Sequence, residues 1–183
     1  MAEFEPIHEK VMQLEGGYTL HQVPGDLGGM TYAGIAREKW PQWLGWWKID
    51  QDEFDGELTE MVRQFYHQNY WLKIRGDEIK SQDVAFAIYG CSVNTGRTTT
   101  TRVVQQICGV AVDGYLGPKT LDALNDLLED EKDERIFILL FALLRVFRYK
   151  DICQKDKRRH QDQVGSNLKF LCGWINRVQR GLA

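Results

Sequence analysis

The 183-residue sequence predicts a mainly α-helical domain with two lobes and one small β-hairpin. Apolar residues recur at spacings of three and four through most of the chain, which is typical of amphipathic helices. Turn-forming residues and short β-prone pieces are concentrated between residues 18 and 36. No long linker, repeat or low-complexity tract divides the chain, and its length suffices for one domain with a substantial core.

The first predicted element is a helix that ends at Glu15. Its apolar residues follow helical spacing: Phe4, Ile7, Val11 and Leu14. Gly16 and Gly17 supply the left-handed backbone that a helix C-cap needs. A carboxyl group is unusual at a helix C-terminus, because the helix end carries partial negative charge. That charge favours the protonated form of the carboxyl group, and partial burial has the same effect. A general acid requires that form. The alternative is a solvated helix-end residue followed by a stop signal.

The next stretch predicts a small hairpin. Its β-prone pieces cover residues 18–20 and 30–33, and glycine and proline residues lie between them. The stretch carries Asp26 and Thr31. We expect the hairpin to fold Asp26 back across the end of the first helix, close to Glu15.

Four tryptophans follow within residues 37–47. Their spacing predicts a short helix with Trp40, Trp43 and Trp47 on one face. Core packing accounts for most of these side chains, because each buries a large apolar area. One or two of them lining a groove would instead provide flat platforms for sugar rings.

The remaining sequence predicts six helices separated by short turns. In a two-lobed domain of this kind, a cleft between the lobes is a natural binding site. The signals are apolar periodicity, Ser81 as an N-cap, Pro118 at a first helical position, and Gly76 and Gly109 at helix ends. The stretch 92–96 is predicted to be a turn and 113–118 a tight loop. The helices are predicted at 58–75, after Ser81, at 98–108, after Pro118, at 134–153 (the most apolar and the central one) and at 167–180.

Charge is distributed unevenly along the chain. Residues 1–144 carry a net charge of −10 and residues 145–183 a net charge of +7. A basic C-terminal end can rest on an anionic polymer such as a bacterial wall, a membrane surface or nucleic acid. A solvated helix face explains the same charges.

The four cysteines are widely spaced, without a CxxC pair, so we expect no zinc or other metal site. Two disulfides are arithmetically possible, but apolar surroundings favour buried free thiols. Residues 1–10 are acidic and lack an apolar core, so we expect no signal peptide and synthesis in the cytoplasm. The longest apolar run, 136–144, is too short to cross a membrane, so we expect no stable membrane insertion.

Two carboxylates in this arrangement are typical of glycoside hydrolysis. Glu15 could protonate the leaving oxygen, Asp26 could activate water or stabilise the oxocarbenium, and Thr31 could hold the water. Asp26 as a turn residue and Thr31 as an ordinary strand residue are the alternatives. Competing signatures such as GxSxG, HExxH and a phosphate-binding loop are absent from the sequence.

Three groups of residues carry a resemblance to a known family. They are Glu15–Gly16–Gly17–Tyr18 with Asp26, Gly28–Gly29, Thr31 and Gly34–Ile35; Ser92–Gly96 with Gln105, Gly109, Asp113–Gly114, Gly117–Pro118 and Thr120–Leu121; and Phe170–Val178. The first group resembles the N-terminal signature of glycoside hydrolase family 108, the phage-type N-acetylmuramidases, some of them called secretion activator proteins. The other two are similar to the peptidoglycan-binding region usually attached to it.

The resemblance implies a lysozyme-like fold that cleaves the β-1,4 bond between N-acetylmuramic acid and N-acetylglucosamine. Glu15 maps onto the family's catalytic glutamate. Asp26 and Thr31 resemble the second and third members of the Glu–Asp–Thr set of wider phage lysozymes. Residues 1–96 would be the catalytic half, and residues 97–183 the peptidoglycan-binding half of the same compact domain.

Further expectations concern binding and partners. Tyr18 and Asn94 are candidate substrate-binding residues, and Asp113 is a candidate wall contact, with core or loop structure as the alternative for each. We expect the protein to need no cofactor and to be a monomer. Its expected partner is the glycan strand of peptidoglycan, and we expect no nucleic-acid partner. The protein would act in the wall as a phage or prophage endolysin or as an exported effector. A lytic transglycosylase and a non-catalytic wall-binding or secretion-assisting module are the alternatives.

Overall fold

The structure is a computed structural model that describes residues 1–22, 29–159 and 168–180. Within these residues the chain forms eight α-helices and a small antiparallel sheet, which confirms the mainly α fold class. The helices are α1 (Phe4–Leu14), α2 (Gly45–Ile49), α3 (Gly56–Tyr66), α4 (Gln82–Thr95), α5 (Arg97–Cys108), α6 (Pro118–Asp126), α7 (Glu131–Arg159) and α8 (Leu168–Arg180). The strands are β1 (Leu20–Gln22), β2 (Met30–Tyr32) and β3 (Ile35–Ala36).

Helix α1 ends as its sequence predicts. Glu15 is the C-cap, and its backbone N–H donates to the carbonyl of Val11 over 3.0 Å. Gly16 and Gly17 follow with φ angles of 103° and 72°, which side chains rarely tolerate. The helix therefore ends sharply and leaves the Glu15 side chain at its terminus.

The predicted hairpin is present, and a third strand extends it. The strands pair in the order β1–β2–β3, with Thr31 opposite His21 in β1 and opposite Ala36 in β3. The turn between β2 and β3 has left-handed backbone at Ala33 and Gly34. The Tyr66 hydroxyl donates to the Ala33 carbonyl over 2.8 Å, which fixes this turn on α3.

The predicted tryptophan helix is shorter than expected and presents a different face. It begins only at Gly45, and Pro41 disfavours helical backbone at Trp40, the residue before it. Trp46 is the buried tryptophan and donates to the Trp40 carbonyl over 2.8 Å, whereas Trp47 is exposed. The prediction that Trp40, Trp43 and Trp47 share a helix face is therefore wrong.

The predicted helix at 58–75 changes its winding before it ends. After α3 the chain forms a π-helical turn at His67–Trp71 and a 3₁₀ turn at Leu72–Ile74, and Arg75 adopts left-handed backbone. Trp71 is fully buried and donates to Asp77 over 2.7 Å. This rewinding places the Trp71 ring in the core and ends the helix.

The predicted turn at 92–96 is instead the last part of α4. Ser92, Asn94 and Thr95 each donate a side-chain hydrogen bond to a carbonyl three or four residues earlier, over 2.7–3.0 Å. These bonds satisfy the polar side chains without a partner outside the helix. The helix ends only at Gly96, with the consequence that Asn94 faces the end of α1.

One hydrophobic core runs through both halves of the chain, from α1 to the first half of α7. A second, smaller cluster lies between α7 and α8 and contains Ala142, Tyr149 and Val178. The prediction that the most apolar helix is central is wrong, since α7 buries one face and exposes the other. The four cysteines are free, and Cys91 and Cys153 are buried. Among the helices that the structure describes, none combines the length and the apolar character needed to cross a membrane.

Candidate active site

Glu15 lies where three parts of the fold meet. Its Oε1 accepts a hydrogen bond from Asn94 Nδ2 of α4 over 3.0 Å, and its Oε2 lies 3.4 Å from Arg177 Nε of α8. The Glu15 side chain is 23 % exposed. Sequence analysis chose Glu15 and Asn94 separately, and the structure brings them together although 79 positions separate them.

Two arginines border the same site, and sequence reasoning assigned neither to it. Arg177 and the buried Arg145 line a small cavity of about 30 Å³ together with Glu15 and Asn94. Arg177 Nε lies 3.4 Å from Glu15 Oε2, so this arginine is the nearest cation to the Glu15 carboxyl group among the described residues. The excess of basic residues after position 144 was the available signal, although it does not tell which of them faces Glu15.

Tyr18 lies just beyond the helix end and is anchored to α1. Its hydroxyl donates to Glu9 Oε1 over 3.1 Å, and Arg63 Nη2 binds the same oxygen over 3.1 Å. Burial, reinforced by the Glu9 carboxylate, raises the pKa of Tyr18 to about 12. The phenol therefore remains a neutral hydrogen-bond donor at any physiological pH.

A group of aromatic residues supports α1 from the core side. His8 is fully buried, its ring stacks on Phe4 with centroids 5.0 Å apart, and its Nδ1 lies 2.8 Å from the Tyr89 hydroxyl. Burial lowers the pKa of His8 to about 4, and burial also raises the pKa of Tyr66 well above its usual value. These groups are neutral and hold the helix in place.

The structure gives less information about Asp26 and Thr31, the second and third predicted catalytic residues. Asp26 lies outside the described residues, in the connection between β1 and β2. Thr31 lies in β2 and is partly buried. In the described part of the chain no hydrogen bond joins Thr31 to Glu15.

Asp113 belongs to a separate cluster in the loop before α6. Its Oδ1 accepts hydrogen bonds from Gln105 Nε2 over 2.7 Å and from the Tyr115 backbone N–H over 2.8 Å. Those two donors hold the pKa of Asp113 below its usual value. Gln105 also accepts from the Gly114 N–H over 2.8 Å and donates to Thr120. Among described residues Asp113 thus contacts its own loop and the helices beside it.

Two adjoining grooves lie on the surface formed by residues 39–44, α3 and the start of α5. The larger, here called the tryptophan groove, has a volume of about 440 Å³ and is lined by residues 39–44 and by Met61, Gln64, Phe65, Gln68 and Asn69. The smaller, here called the threonine groove, has a volume of about 280 Å³ and is lined by Trp40, Asn69, Tyr70 and residues 96–99. Trp40 and Asn69 border both grooves, and Gly96 lies two residues after Asn94.

The lining of the grooves suits a neutral polar ligand with flat faces. Trp40 and Phe65 meet edge to face, with ring centroids 4.8 Å apart, and Trp40 remains 37 % exposed. Side-chain amides border the aromatic surface, and Lys39 and Arg97 are the charged residues among those lining it. No group of three or more residues able to hold a metal ion occurs within 1–22, 29–159 and 168–180.

Comparisons with known proteins fit this architecture. Residues 8–96 match the family model described as Glycosyl hydrolase 108, and residues 99–179 match the model described as Predicted Peptidoglycan domain. The solved structure of Brucella abortus SagA is similar, with a TM-score of 0.68 and 24 % sequence identity over 98 % of this chain and 91 % of that one. None of the curated proteins matches the chain.

The two family matches together support a glycoside hydrolase that acts on peptidoglycan, and the likeness to SagA supports the fold. The resemblance expected from the sequence is therefore confirmed: the chain matches glycosyl hydrolase family 108 in its first half and the peptidoglycan domain in its second.

Proposed function

We propose that this protein is an N-acetylmuramidase that cleaves the β-1,4 bond between N-acetylmuramic acid and N-acetylglucosamine, with Glu15 as the general acid. The observation that carries the proposal is the position of Glu15. Its carboxyl group ends α1, is oriented by Asn94 and remains partly exposed.

The chemistry follows from these contacts. Glu15 donates its proton to the glycosidic oxygen as the bond to the sugar C1 breaks, and Asn94 holds the carboxyl group in one orientation. Binding of substrate draws Arg177 away from Glu15, towards the anionic peptide that the wall polymer carries. Asp26 activates the attacking water or stabilises the oxocarbenium, and Thr31 holds that water.

The grooves supply binding for the glycan strand. Sugar rings present an apolar face that stacks on tryptophan and a polar rim that suits amide groups. We assign the tryptophan and threonine grooves to glycan binding, with Trp40 as the stacking platform. Tyr18, whose hydroxyl hydrogen is donated to Glu9, accepts a hydrogen bond from the substrate near the cleaved bond with its hydroxyl oxygen.

The two halves have different tasks in this proposal. Residues 1–96 carry the catalytic groups, and residues 97–183 hold the protein on peptidoglycan, where the Asp113 loop is a candidate contact. The net positive charge after residue 144 strengthens attachment to the anionic wall, so that high salt weakens co-sedimentation with sacculi. The biological role is lysis of the cell wall, as an endolysin of a phage or prophage or as an exported effector.

Replacement of Glu15 tests the proposal directly. Glu15→Gln keeps the shape and the Asn94 contact but removes the transferable proton, so turnover of purified sacculi should fall by about 100- to 10,000-fold. Glu5→Gln, on the exposed face of the same helix, is the matched control and should retain parental activity. Parental lysis by the folded Glu15→Gln variant would refute the assignment.

Mass analysis of the released fragments separates the remaining alternatives. Reducing N-acetylmuramic acid ends support hydrolysis. 1,6-anhydro ends identify a lytic transglycosylase, which needs one acid and leaves Asp26 without its role. Absence of soluble fragments, with sacculi still bound, identifies a wall-binding or secretion-assisting protein instead.

A further inference from the structure

One face of α7 is apolar and exposed over about three helical turns. Each of its five apolar side chains has between 43 and 59 % of its surface accessible: Ile136, Leu139, Leu140, Leu143 and Phe147. We call these five residues the α7 stripe. The opposite face of α7 buries Phe137, Phe141 and Tyr149 and contacts α4, α5 and α8. Among the described elements, none covers the stripe.

The spacing within the stripe is typical of a helix that packs against another helix. Ile136, Leu140, Leu143 and Phe147 follow one another at intervals of four, three and four residues, which is the repeat of a coiled-coil seam. Single exposed apolar residues are ordinary on protein surfaces, whereas a contiguous row of this kind marks an interaction site.

The charges at the two ends of α7 indicate what packs there. Residues 129–134, at its start, include five carboxylates and one lysine, whereas Arg148, Lys150 and Lys155 lie towards its end. A second copy of the same helix, running antiparallel, would bring the acidic start of each copy beside the basic end of the other. A parallel copy would place like charges together, which is unfavourable.

We propose that the α7 stripe is the interface of a symmetric dimer in which two copies of α7 pack antiparallel. Two-fold symmetry together with the seam spacing sets the register. Leu140 lies opposite Leu143 of the second copy, and Ile136 lies opposite Phe147 of the second copy. Continuing the same register brings Asp133 opposite Lys150 of the second copy. Neither Asp133 nor Lys150 forms an ion pair with another described residue.

The size of the stripe indicates how stable the dimer is. Two stripes with their flanking charged residues bury on the order of 1,000 Å² in total, which is the lower end of specific interfaces. We therefore expect reversible association in the micromolar range. The monomer expected from the sequence is then the dilute form of the protein.

Sedimentation equilibrium of the full chain over a range of concentrations tests the proposal. The parent should shift from monomer to dimer as its concentration rises. Leu143→Glu places charge at the centre of the seam and should remain monomeric. Leu72→Glu is the matched control, because Leu72 is exposed to a similar extent (47 % against 48 %) outside the stripe, and it should dimerise like the parent. Circular dichroism and melting curves establish that each variant is folded.

Charge reversal tests the register independently. Asp133→Lys and Lys150→Glu should each weaken the dimer at least several-fold, because each creates two like-charge contacts across the two-fold axis. The double variant should recover most of the parental affinity. Additive losses in the double variant would overturn this register.

Other results would overturn the dimer itself. A parent that is monomeric up to its solubility limit, or a dimer that Leu143→Glu does not weaken, is incompatible with it. A monomer that binds phosphatidylglycerol vesicles through Leu143 would assign the stripe to a lipid surface instead. None of these results depends on Glu15, so the dimer and the proposed catalysis stand or fall separately.

Discussion

Each half of the chain contains a carboxylate held by a side-chain amide, and the two pairs differ in their surroundings. Asn94 donates to Glu15 over 3.0 Å in the first half, and Gln105 donates to Asp113 over 2.7 Å in the second. Asp113 also accepts a backbone hydrogen bond from its own loop. Among the described residues, the Glu15 carboxyl group contacts the side chains of Asn94 and Arg177, from helices distant in the sequence.

The difference separates a structural carboxylate from one available for chemistry. The pKa of Asp113 is held below its usual value by the Tyr115 N–H and by Gln105, so the group is a permanently ionised acceptor that shapes its loop. Glu15 has no backbone donor among its contacts in the described part of the chain. The Glu15 carboxyl group is therefore held by the side chains of Asn94 and Arg177, whereas the backbone of its own loop fixes Asp113.

Removing the amide of the second pair should have the largest effect on stability. Gln105 is 1 % exposed and joins Asp113, Gly114, Tyr115 and Thr120. Gln105→Ala leaves a cavity and several unpaired polar groups, so the free energy of unfolding should fall by about 3 kcal/mol. Urea denaturation of the purified protein measures this change.

The amide of the first pair is the matched comparison for that experiment. Asn94 is only partly buried, so Asn94→Ala should change the unfolding free energy by less than about 1 kcal/mol. Its turnover of sacculi should nevertheless fall, because Glu15 loses its orienting donor. Equal losses of stability in the two alanine variants would contradict the distinction between the pairs.

Acid should destabilise the protein through His8, which belongs to the same helix as the Glu15 cap. Burial lowers the pKa of His8 to about 4, whereas an unfolded histidine titrates near 6.5. The unfolded state therefore takes up a proton first, and stability decreases as the pH falls from about 6.5 to 4. The full loss is about 3 kcal/mol. In the cluster around Gln105 the titrating group is Asp113, and because its pKa is lowered, its contribution to stability is lost mainly below this pH range.

Unfolding free energies measured across that pH range isolate the contribution of His8. His8→Gln should be less stable than the parent near pH 7 and should lose less stability on acidification. His21→Gln, at an exposed position in β1, should follow the parental pH dependence. An unchanged slope in His8→Gln would show that other groups cause the acid sensitivity.

Sequence predicted those features that depend on neighbouring residues. Gly16 and Gly17 end α1, Ser81 caps α4 with a 3.3 Å hydrogen bond to the Val84 N–H, and Pro118 opens α6, because each signal acts within one helical turn. Local sequence patterns gave wrong helix boundaries where tertiary packing determines the backbone conformation. The end of the long helix rewinds where Trp71 is buried, and α4 continues through a stretch that composition predicts to be a turn, where Cys91 and Ser92 are buried in the core.

The candidate site divides in the same way. Glu15 could be chosen from its helix end together with the following hairpin and the family resemblance, and its identity as the catalytic acid stays a prediction. The contacts of Glu15 with Asn94 and Arg177 could not be predicted, because they join positions far apart in the chain and depend on how α4 and α8 pack. The sequence also could not predict that the α7 stripe is exposed, because the apolar pattern of a helix does not reveal which face packs against the core.

Two accessible tryptophans, Trp40 before α2 and Trp47 within it, should differ in function. Trp40 borders both grooves, whereas Trp47 is 64 % exposed and lines neither. Trp40→Ala removes the stacking platform, so the KM for soluble glycan fragments should rise about tenfold, which corresponds to ~1.4 kcal/mol, with kcat little changed. Trp47→Ala should leave both constants near parental values. Equal KM values in the two variants would remove the grooves from the glycan path and leave Glu15 with a different approach for its substrate.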